Sequence, residues 1–188
     1  VIFDEIQSGF GRTGKLFAFE HYGIEPDLIC CGKGISSSLP ISAVIGRKNI
    51  IDTDPSLNST HGGNPICCAA TLASIDVLLS ENLVTESDRK GKILEYELKK
   101  IQNDFPKIIY DICGKGLVFA IHVKNPLTNK LDIEIVDRII EKCMHKGLLL
   151  VRTGSGTIKI GPPLMIPDDA LIEGIQIIHE SILECINK

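Results

Sequence analysis

Apolar residues near the start of the chain occur in short, almost continuous runs. Three such runs, Val1–Phe3, Leu28–Cys31 and Ile41–Ile45, do not alternate with polar positions and are bounded by glycine, proline and serine. Runs of this kind are typical of strands that are buried on both faces of a parallel sheet. The first part of the chain therefore predicts a buried, mainly parallel sheet with helices.

Two helices of different character follow the predicted strands. Asn64 and Pro65 form a helix-start signal, with asparagine as the cap and proline in the first turn, and Ile66–Leu79 is apolar on nearly all sides. The next helix, predicted over Glu86–Phe105, has its apolar residues on one stripe and ends at Pro106. We expect deep burial for the first helix and one-sided packing for the second.

The remaining residues predict a compact α+β unit. In chain order the pattern indicates two strands, a polar turn, a helix, two strands and a last helix: Ile108–Cys113, Leu117–Val123, Asn125–Asn129, Asp132–His145, Leu148–Arg152, Thr157–Ile160, and a helix that opens at Pro167. We accordingly divide the chain into the C-terminal part of a large α/β domain (1–85), a connecting helix (86–105) and a small α+β domain (106–188).

Charge and composition exclude two classes of partner. A net charge of -4 and a pI near 5.7 give no basic surface for nucleic acid. No apolar run approaches the roughly 18 residues of a membrane span, and no signal-peptide pattern opens the chain. We predict a soluble cytoplasmic protein. Because Val1 already belongs to a predicted strand, with no initiator methionine or helix cap before it, we expect the chain to begin inside a larger protein.

Seven cysteines occur as two adjacent pairs and three single residues: Cys30, Cys31, Cys67, Cys68, Cys113, Cys143 and Cys185. No two of them form a CxxC motif, and adjacent cysteines in a strand point to opposite faces. Their odd number argues against a complete disulfide framework. We therefore interpret them as small buried residues and predict no metal site.

A glycine-rich stretch, Gly9–Leu16, satisfies GxGxxG and nearly satisfies the phosphate-loop pattern GxxxxGK[ST]. Leu16 stands where a phosphate loop needs serine or threonine, and the stretch does not run directly from a strand into a helix. We predict an irregular loop whose glycines let the backbone pass close to a bulky group. A nucleotide-binding protein is the disfavoured alternative, which a titration with ATP or NAD would test.

Three polar residues stand near the ends of the first two strands. Asp4 and Lys33 each follow a strand, and Gln7 lies three residues beyond Asp4. Ligands of parallel α/β sheets bind at the carboxyl ends of strands. An aspartate for a protonated ring nitrogen, a lysine for an imine and an amide for a ring oxygen suggest pyridoxal phosphate.

Several motifs extend this pattern along the chain in a fixed order: Asp4–Gly14, Pro26–Asp27, Gly32–Gly34, Leu39–Val44, Ser59–Pro65, Gly114–Leu117 and Gly161–Leu164. Together they resemble the class III pyridoxal-phosphate aminotransferases of the ornithine and 4-aminobutyrate type over nearly the whole chain. The resemblance implies the C-terminal half of a fold-type I enzyme. Residues 1–85 would then be the end of its cofactor-binding domain.

Specific roles are implied by the same resemblance. Asp4 would bind the pyridine nitrogen, Gln7 the ring hydroxyl side, and Lys33 would form the Schiff base. Thr60 would donate to the cofactor phosphate across the interface of a homodimer. The implied reaction moves an amino group from an amino acid or omega-amino compound to a 2-oxo acid.

Two positions depart from the family pattern. Ser36–Ser38 replaces three glycines after the lysine, which keeps the residues small. Lys159 stands where many members carry an arginine that pairs with a substrate carboxylate, and lysine offers only a point charge in place of a planar two-point contact. Lys159 either attracts a carboxylate or phosphate or is a solvated strand residue, and Arg152 is a nearby substitute.

Other reactions remain open on this scaffold. Racemases or epimerases, decarboxylases and phospho-lyases use the same residue types, and the chain could also be a non-catalytic dimerisation fragment. In the family the glycine-rich phosphate loop, the aromatic residue that stacks on the ring and an acid near the amino group would all precede Val1.

Overall fold

The computed structural model describes residues 1–54, 56, 58–125, 127–128, 130–154 and 156–186. Pro126 and Asn129 of the predicted polar turn lie outside the described residues. The chain divides into two compact units, residues 1–88 and 89–188. The finer division at residues 85 and 105 stays a prediction.

The first unit contains a three-stranded sheet in the order β1 (Ile2–Asp4), β2 (Leu28–Cys31) and β3 (Ala43–Gly46). β1 runs parallel to β2, but β3 runs antiparallel to it, so the prediction of parallel pairing is wrong for β3. The physical reason is the connection from β2 to β3, residues 32–42, which contains only a single 3-10 turn, Lys33–Ile35. Parallel neighbours need a crossover of a dozen or more residues, usually with a helix.

Burial on both faces of these strands is also a wrong expectation. Ile2 is 65% exposed and Val44 is 55% exposed. Their pairing with Leu28 and Cys30 places them on one face of the sheet. The exposure means that no side chain of the described residues covers this face.

The first unit also contains a 3-10 turn, Ala18–His21, a short helix α1 (Lys48–Ile51) and a long helix α2 (Pro65–Ser80). The predicted helix start is confirmed, because the Asn64 side chain accepts a hydrogen bond from Ile66 N at 2.9 Å.

The deep burial expected for α2 is wrong, since Ile66 is 72% and Leu72 is 64% exposed. α2 packs on the turn Lys33–Ile35 through one side only, where the hydroxyls of Ser37 and Ser74 lie 2.9 Å apart. Its other apolar sides have no cover from the described residues.

Helix α3 (Leu83–Asp104) begins three residues before its predicted start and has the predicted apolar stripe. Leu94, Leu98 and Ile101 are buried, whereas the opposite side carries charged residues. Within the described residues no single helix is long and apolar enough to cross a membrane. The bent pair of α2 and α3 passes that test together, by length and composition only.

The second unit contains every strand and helix that the pattern predicts after α3. The strands form an antiparallel sheet in the order β4-β5-β7-β6, with two helices beside it. The elements are β4 (Ile109–Lys115), β5 (Val118–Val123), α4 (Ile133–His145), β6 (Val151–Arg152), β7 (Thr157–Ile160) and α5 (Asp168–Ile186). Strands and helices together confirm the predicted α/β class.

A single apolar cluster forms the core of the second unit. Phe119, Ile121 and Val123 alternate along β5 and pack with buried residues of α3, α4 and α5. The tight turn between β4 and β5 lies against α3, because a Cβ on Gly91 would come within 2.5 Å of Gly116 Cα. Glycine is therefore required at this contact.

The cysteines do not all follow the sequence expectation. Cys31, Cys143 and Cys185 are buried, but Cys113 is exposed on β4, so the prediction of buried cysteines is wrong there. Residues alternate between the faces of a strand. In β4 this alternation turns Cys113 away from the core.

Candidate active site

Asp4 and Lys33 lie at the carboxyl ends of neighbouring parallel strands. The Cα of Asp4 pairs with that of Cys30 in β2, and Lys33 follows three residues later as the first residue of the turn Lys33–Ile35. Adjacent strands are about 4.8 Å apart. Both side chains are exposed. The two residues therefore share one edge of the sheet, which is where ligands of α/β folds bind.

The loop after β1 packs against both glycines that flank Lys33. A Cβ on Gly32 would lie 3.2 Å from Ile6 Cγ2, and one on Gly34 would lie 3.5 Å from Phe10 Cβ. Gln7 lies between these two contacts and is exposed. The structure thus brings Asp4, Gln7 and Lys33 into one region.

The backbone of this region adopts conformations that side chains disfavour. Lys33 has φ 41°, Phe10 has φ 55° and Ser37 has φ 61°, all in the left-handed range. Such conformations in non-glycine residues cost about 1–3 kcal/mol each and cluster at functional sites. The turn at Lys33 is held by Ile35 N, which donates to Gly32 O at 3.1 Å, and by Ser37 N, which donates to Lys33 O at 3.3 Å.

Glu5 is fully buried beside the exposed Asp4 and anchors the loop after β1. Its carboxylate accepts hydrogen bonds from Phe19 N at 2.9 Å and from Ser8 Oγ, while its carbonyl accepts from Gly9 N at 3.0 Å. The sequence motifs did not single out Glu5 for this structural role. Alternation along an extended segment, which turns neighbours to opposite faces, was the available signal.

The glycine-rich stretch forms the predicted irregular loop rather than a phosphate loop. No helix follows it directly; the next regular element among the described residues is the 3-10 turn Ala18–His21. A Cβ on Gly9 would lie 2.8 Å from Glu5 O, and Gly14 has φ 85°. The glycines therefore serve close packing, of Gly9 within the loop and of Gly14 against Asp88, which argues against the nucleotide-binding alternative.

Cys31 lies immediately before Gly32, on the buried side of β2. Burial raises the pKa of its thiol, and the neighbouring Cys30 and Glu5 raise it further. A thiol with a raised pKa stays protonated and unreactive near neutral pH. Cys31 is therefore a buried packing residue at the end of β2.

Thr60 lies on the exposed loop that precedes α2. Gly62 N donates to Ser59 O at 3.0 Å in the turn around it. Within the described part of the chain, no hydrogen bond or ion pair connects Thr60 with Asp4, Gln7 or Lys33. The role of Thr60 at the cofactor phosphate stays a prediction.

Lys159 and Arg152 belong to the second unit. Lys159 is half-buried in β7, where its Cα pairs with Ala120 of β5 and Val151 of β6. Arg152 is not a free substitute, because its Nε lies 2.7 Å from Asp137 Oδ1. A guanidinium that is already paired has less capacity for a substrate carboxylate, and the role of Arg152 stays a prediction.

Comparison with known proteins assigns the chain to the family that its motifs resemble. A model of the family "Aminotransferase class-III" matches residues 1–182. An acetylornithine aminotransferase from Caldanaerobacter subterraneus subsp. tengcongensis is 34% identical over 184 residues, which are 97% of this chain and 44% of that protein. A leucine/methionine racemase from Thermococcus litoralis is also 34% identical over 184 residues, covering 96% of this chain and 41% of the racemase.

A solved structure gives the same result for the fold. An S-selective transaminase from Arthrobacter sp., crystallised with alanine bound, superposes with a TM-score of 0.90 at 30% identity and covers 97% of this chain and 43% of that one. The chain thus spans less than half the length of the relatives it matches. The family model covers nearly all of the chain, and the chain therefore belongs to the class-III aminotransferases.

Proposed function

We propose that this chain is the C-terminal part of a pyridoxal-phosphate-dependent enzyme that transfers an amino group to a 2-oxo acid. The donor would be an amino acid or an omega-amino compound. The observation that carries the proposal is the position of Asp4 and Lys33 at the carboxyl ends of two neighbouring parallel strands. Membership of the class-III family supports the same reaction.

The groups at this edge of the sheet fit pyridoxal phosphate. Asp4 Oδ1 accepts a hydrogen bond from Ile6 N at 3.1 Å, which orients the carboxylate, and its second oxygen makes no hydrogen bond with the described residues. That oxygen could accept from a protonated ring nitrogen. The exposed amide of Gln7 would hold the ring hydroxyl side, and the exposed amine of Lys33 would form the covalent bond.

Pyridoxal phosphate, when bound, accepts the electron pair left at the substrate Cα after loss of a proton. The carboxylate of Asp4 would keep the ring nitrogen protonated by stabilising its positive charge. The amine of Lys33, once displaced by the donor, would take the proton from the substrate Cα and deliver it again. The left-handed backbone at Lys33 supports a fixed approach of this amine.

We also propose that the complete protein is a homodimer in which Thr60 binds the cofactor phosphate of the partner subunit. An exposed loop without hydrogen bonds from Thr60 to the other site residues, within the described part of the chain, supports a role outside its own subunit. A hydroxyl on such a loop can donate to a phosphate oxygen.

Lys159 would select donors that carry a carboxylate. It is half-buried, and a partly desolvated ammonium attracts an anion more strongly than a fully solvated one. Lys159→Ala should raise the KM for a donor that carries a carboxylate several-fold. The KM for an amine donor without a carboxylate should change little. Lys159→Arg should retain the preference, and equal KM changes for both donors would contradict the role.

The central test uses the complete protein with Lys33→Ala, and with Lys15→Ala as the matched control. Lys15 is also an exposed lysine of the first unit. Borohydride reduction followed by peptide mass spectrometry should attach the cofactor to the peptide that contains Lys33. This attachment and the transfer of amino groups to 2-oxoglutarate or pyruvate should disappear in Lys33→Ala and persist in Lys15→Ala. Retention of both in Lys33→Ala would refute the proposal.

Other measurements on the complete protein separate aminotransfer from the alternative reactions. Loss of optical activity without an oxo-acid acceptor would indicate a racemase, the activity named for one of the relatives. Carbon dioxide release would indicate a decarboxylase, and phosphate release would indicate a phospho-lyase. A complete protein that stays colourless with pyridoxal phosphate would indicate a non-catalytic fragment.

A further inference from the structure

Three side chains with metal-binding atoms meet on the sheet of the second unit. Asp111 and Cys113 of β4 and His122 of β5 each offer one such atom, and these atoms all lie within 4.8 Å of one another. Asp111 pairs directly with His122 across the two strands, and Cys113 stands two residues further along the same face. This face is opposite to the core residues Phe119 and Ile121.

We propose that Asp111, Cys113 and His122 bind a zinc ion. A thiolate, an imidazole and a carboxylate are the ligand types that zinc accepts, whereas magnesium and calcium prefer oxygen ligands alone. Zinc binds sulfur at about 2.3 Å and nitrogen at about 2.0–2.1 Å. Two such ligands in a tetrahedral site are therefore about 3.6 Å apart.

The distances between the side chains fit one shared ion. Cys113 Sγ and His122 Nε2 are 3.3 Å apart, close to the tetrahedral separation. Asp111 and Cys113 are exposed, so their side chains can adjust by small rotations and an ion can enter from solvent. Three protein ligands leave the fourth position of a tetrahedral zinc open to water.

His122 is oriented by a second contact. Its Nδ1 lies 3.3 Å from the hydroxyl of Tyr110, and the two rings are 5.4 Å apart. With Nε2 on the metal, Nδ1–H would donate to the Tyr110 oxygen, and such outer contacts fix the ring of a metal-binding histidine. Tyr110 is the extra residue of a β-bulge between Ile109 and Asp111. Bulges commonly redirect side chains at functional positions.

The backbone that carries Cys113 has little freedom. A Cβ on Gly114 would come within 2.3 Å of Val118 O, so β4 and β5 approach closely beside Cys113. Rigid strands hold ligands more accurately than loops do. The spacing of cysteines in the sequence does not indicate this set of ligands, because they come from two strands. They come together only through the strand register.

The test is zinc binding to the purified protein with thiols kept reduced, measured by competition with a chromophoric chelator. Cys113→Ser, His122→Gln and Asp111→Asn should each weaken binding by more than tenfold, and Tyr110→Phe should weaken it by about 10–100-fold. Cys67→Ser and His145→Gln, which lie outside the cluster, are the matched controls and should retain the affinity.

Cobalt substitution gives an independent readout. The near-ultraviolet charge-transfer band of a cobalt–thiolate bond should be present in the parent protein and in Cys67→Ser and absent in Cys113→Ser. Circular dichroism checks that each variant is folded. Parent affinity in both Cys113→Ser and His122→Gln, or no zinc binding by the parent protein, would overturn the proposal.

Discussion

In the second unit, buried apolar side chains form one continuous cluster, whereas in the described part of the first unit they are few: Phe10, Cys31, Ile35 and Leu78. Non-glycine residues with left-handed backbone are instead found in the first unit. Among the described non-glycine residues, every positive φ lies in the first unit, at Phe10, Lys33, Ser37 and Asn82. The second unit is held by its core, and the first unit contains the strained segments of the candidate site.

This difference indicates how strain is held in place around Lys33. Left-handed backbone in non-glycine residues must be offset by the surrounding structure. In the first unit specific polar contacts hold these segments: Ile35 N and Ser37 N hold the turn at Lys33, and the buried Glu5 holds the loop after β1. Substitutions in the two units should therefore differ in kind as well as in size.

The largest effect should come from the core of the second unit. Ile121→Ala removes a fully buried side chain from β5 and should lower the free energy of unfolding by about 2–5 kcal/mol. Leu72→Ala on α2 is the matched change in the first unit; its side chain is 64% exposed, so we expect a change within about 0.5 kcal/mol. Urea unfolding of the 188-residue chain measures both. Similar losses at the two positions would contradict the comparison.

The next effect concerns Glu5, whose buried carboxylate holds the loop after β1 through hydrogen bonds. Glu5→Gln weakens charge-assisted hydrogen bonds in a buried site and should cost about 1.5–3 kcal/mol. Hydrogen exchange at the amide of Phe19, which donates to the Glu5 carboxylate, should become faster. Glu20→Gln is the control, because Glu20 also accepts from a backbone amide, Phe17 N at 2.7 Å, but is exposed. Equal effects of the two variants would show that burial of Glu5 is not decisive.

Local pattern predicted most of the fold. The stripe on α3 and the alternation along β5 depend only on neighbouring residues, and both agree with the structure. The direction of β3 and the exposure of α2 depend on which distant segments are available for pairing and packing. Apolar content alone does not carry that information.

The candidate site divides in the same way. Lys33 and Asp4 were predictable because the carboxyl ends of strands attract ligand-binding residues. Alternation along the strand indicates that Glu5 points away from Asp4, but its hydrogen bonds with Phe19 and Ser8 depend on a folded loop and were not predictable. The approach of Cys113 to His122 likewise depends on the strand register and on a bulge, neither of which a motif specifies.

A smaller effect should distinguish two helical glycines of the second unit. Gly91→Ala would bring a Cβ within 2.5 Å of the Gly116 backbone and should destabilise the protein by about 1–3 kcal/mol. Gly174→Ala meets only Leu148 at 3.5 Å, an ordinary contact, and should stabilise α5 by up to about 1 kcal/mol. Thermal unfolding of both variants measures the difference. A stabilising Gly91→Ala would show that the turn between β4 and β5 can move away from α3.

The smallest effect lies on the surface of the second unit, where ion pairs connect the exposed sides of α4 and α5. Lys142 and Lys146 donate to Glu184 at 2.8 and 3.0 Å, and these contacts lower the pKa of its carboxyl from 4.5 to about 2. Because the folded pKa lies below the unfolded one, the contribution of Glu184 to stability is present above pH of about 4.5 and is lost as the pH falls toward 2.

Glu184→Gln should therefore unfold more easily than the parent near neutral pH, and the two curves of stability against pH should converge in acid. Glu141→Gln, whose carboxylate has only a 4.0 Å contact with His145, should follow the parent throughout. Urea midpoints between pH 2 and 7 measure this, and a constant offset for Glu184→Gln would mean that packing, not the ion pairs, causes the difference.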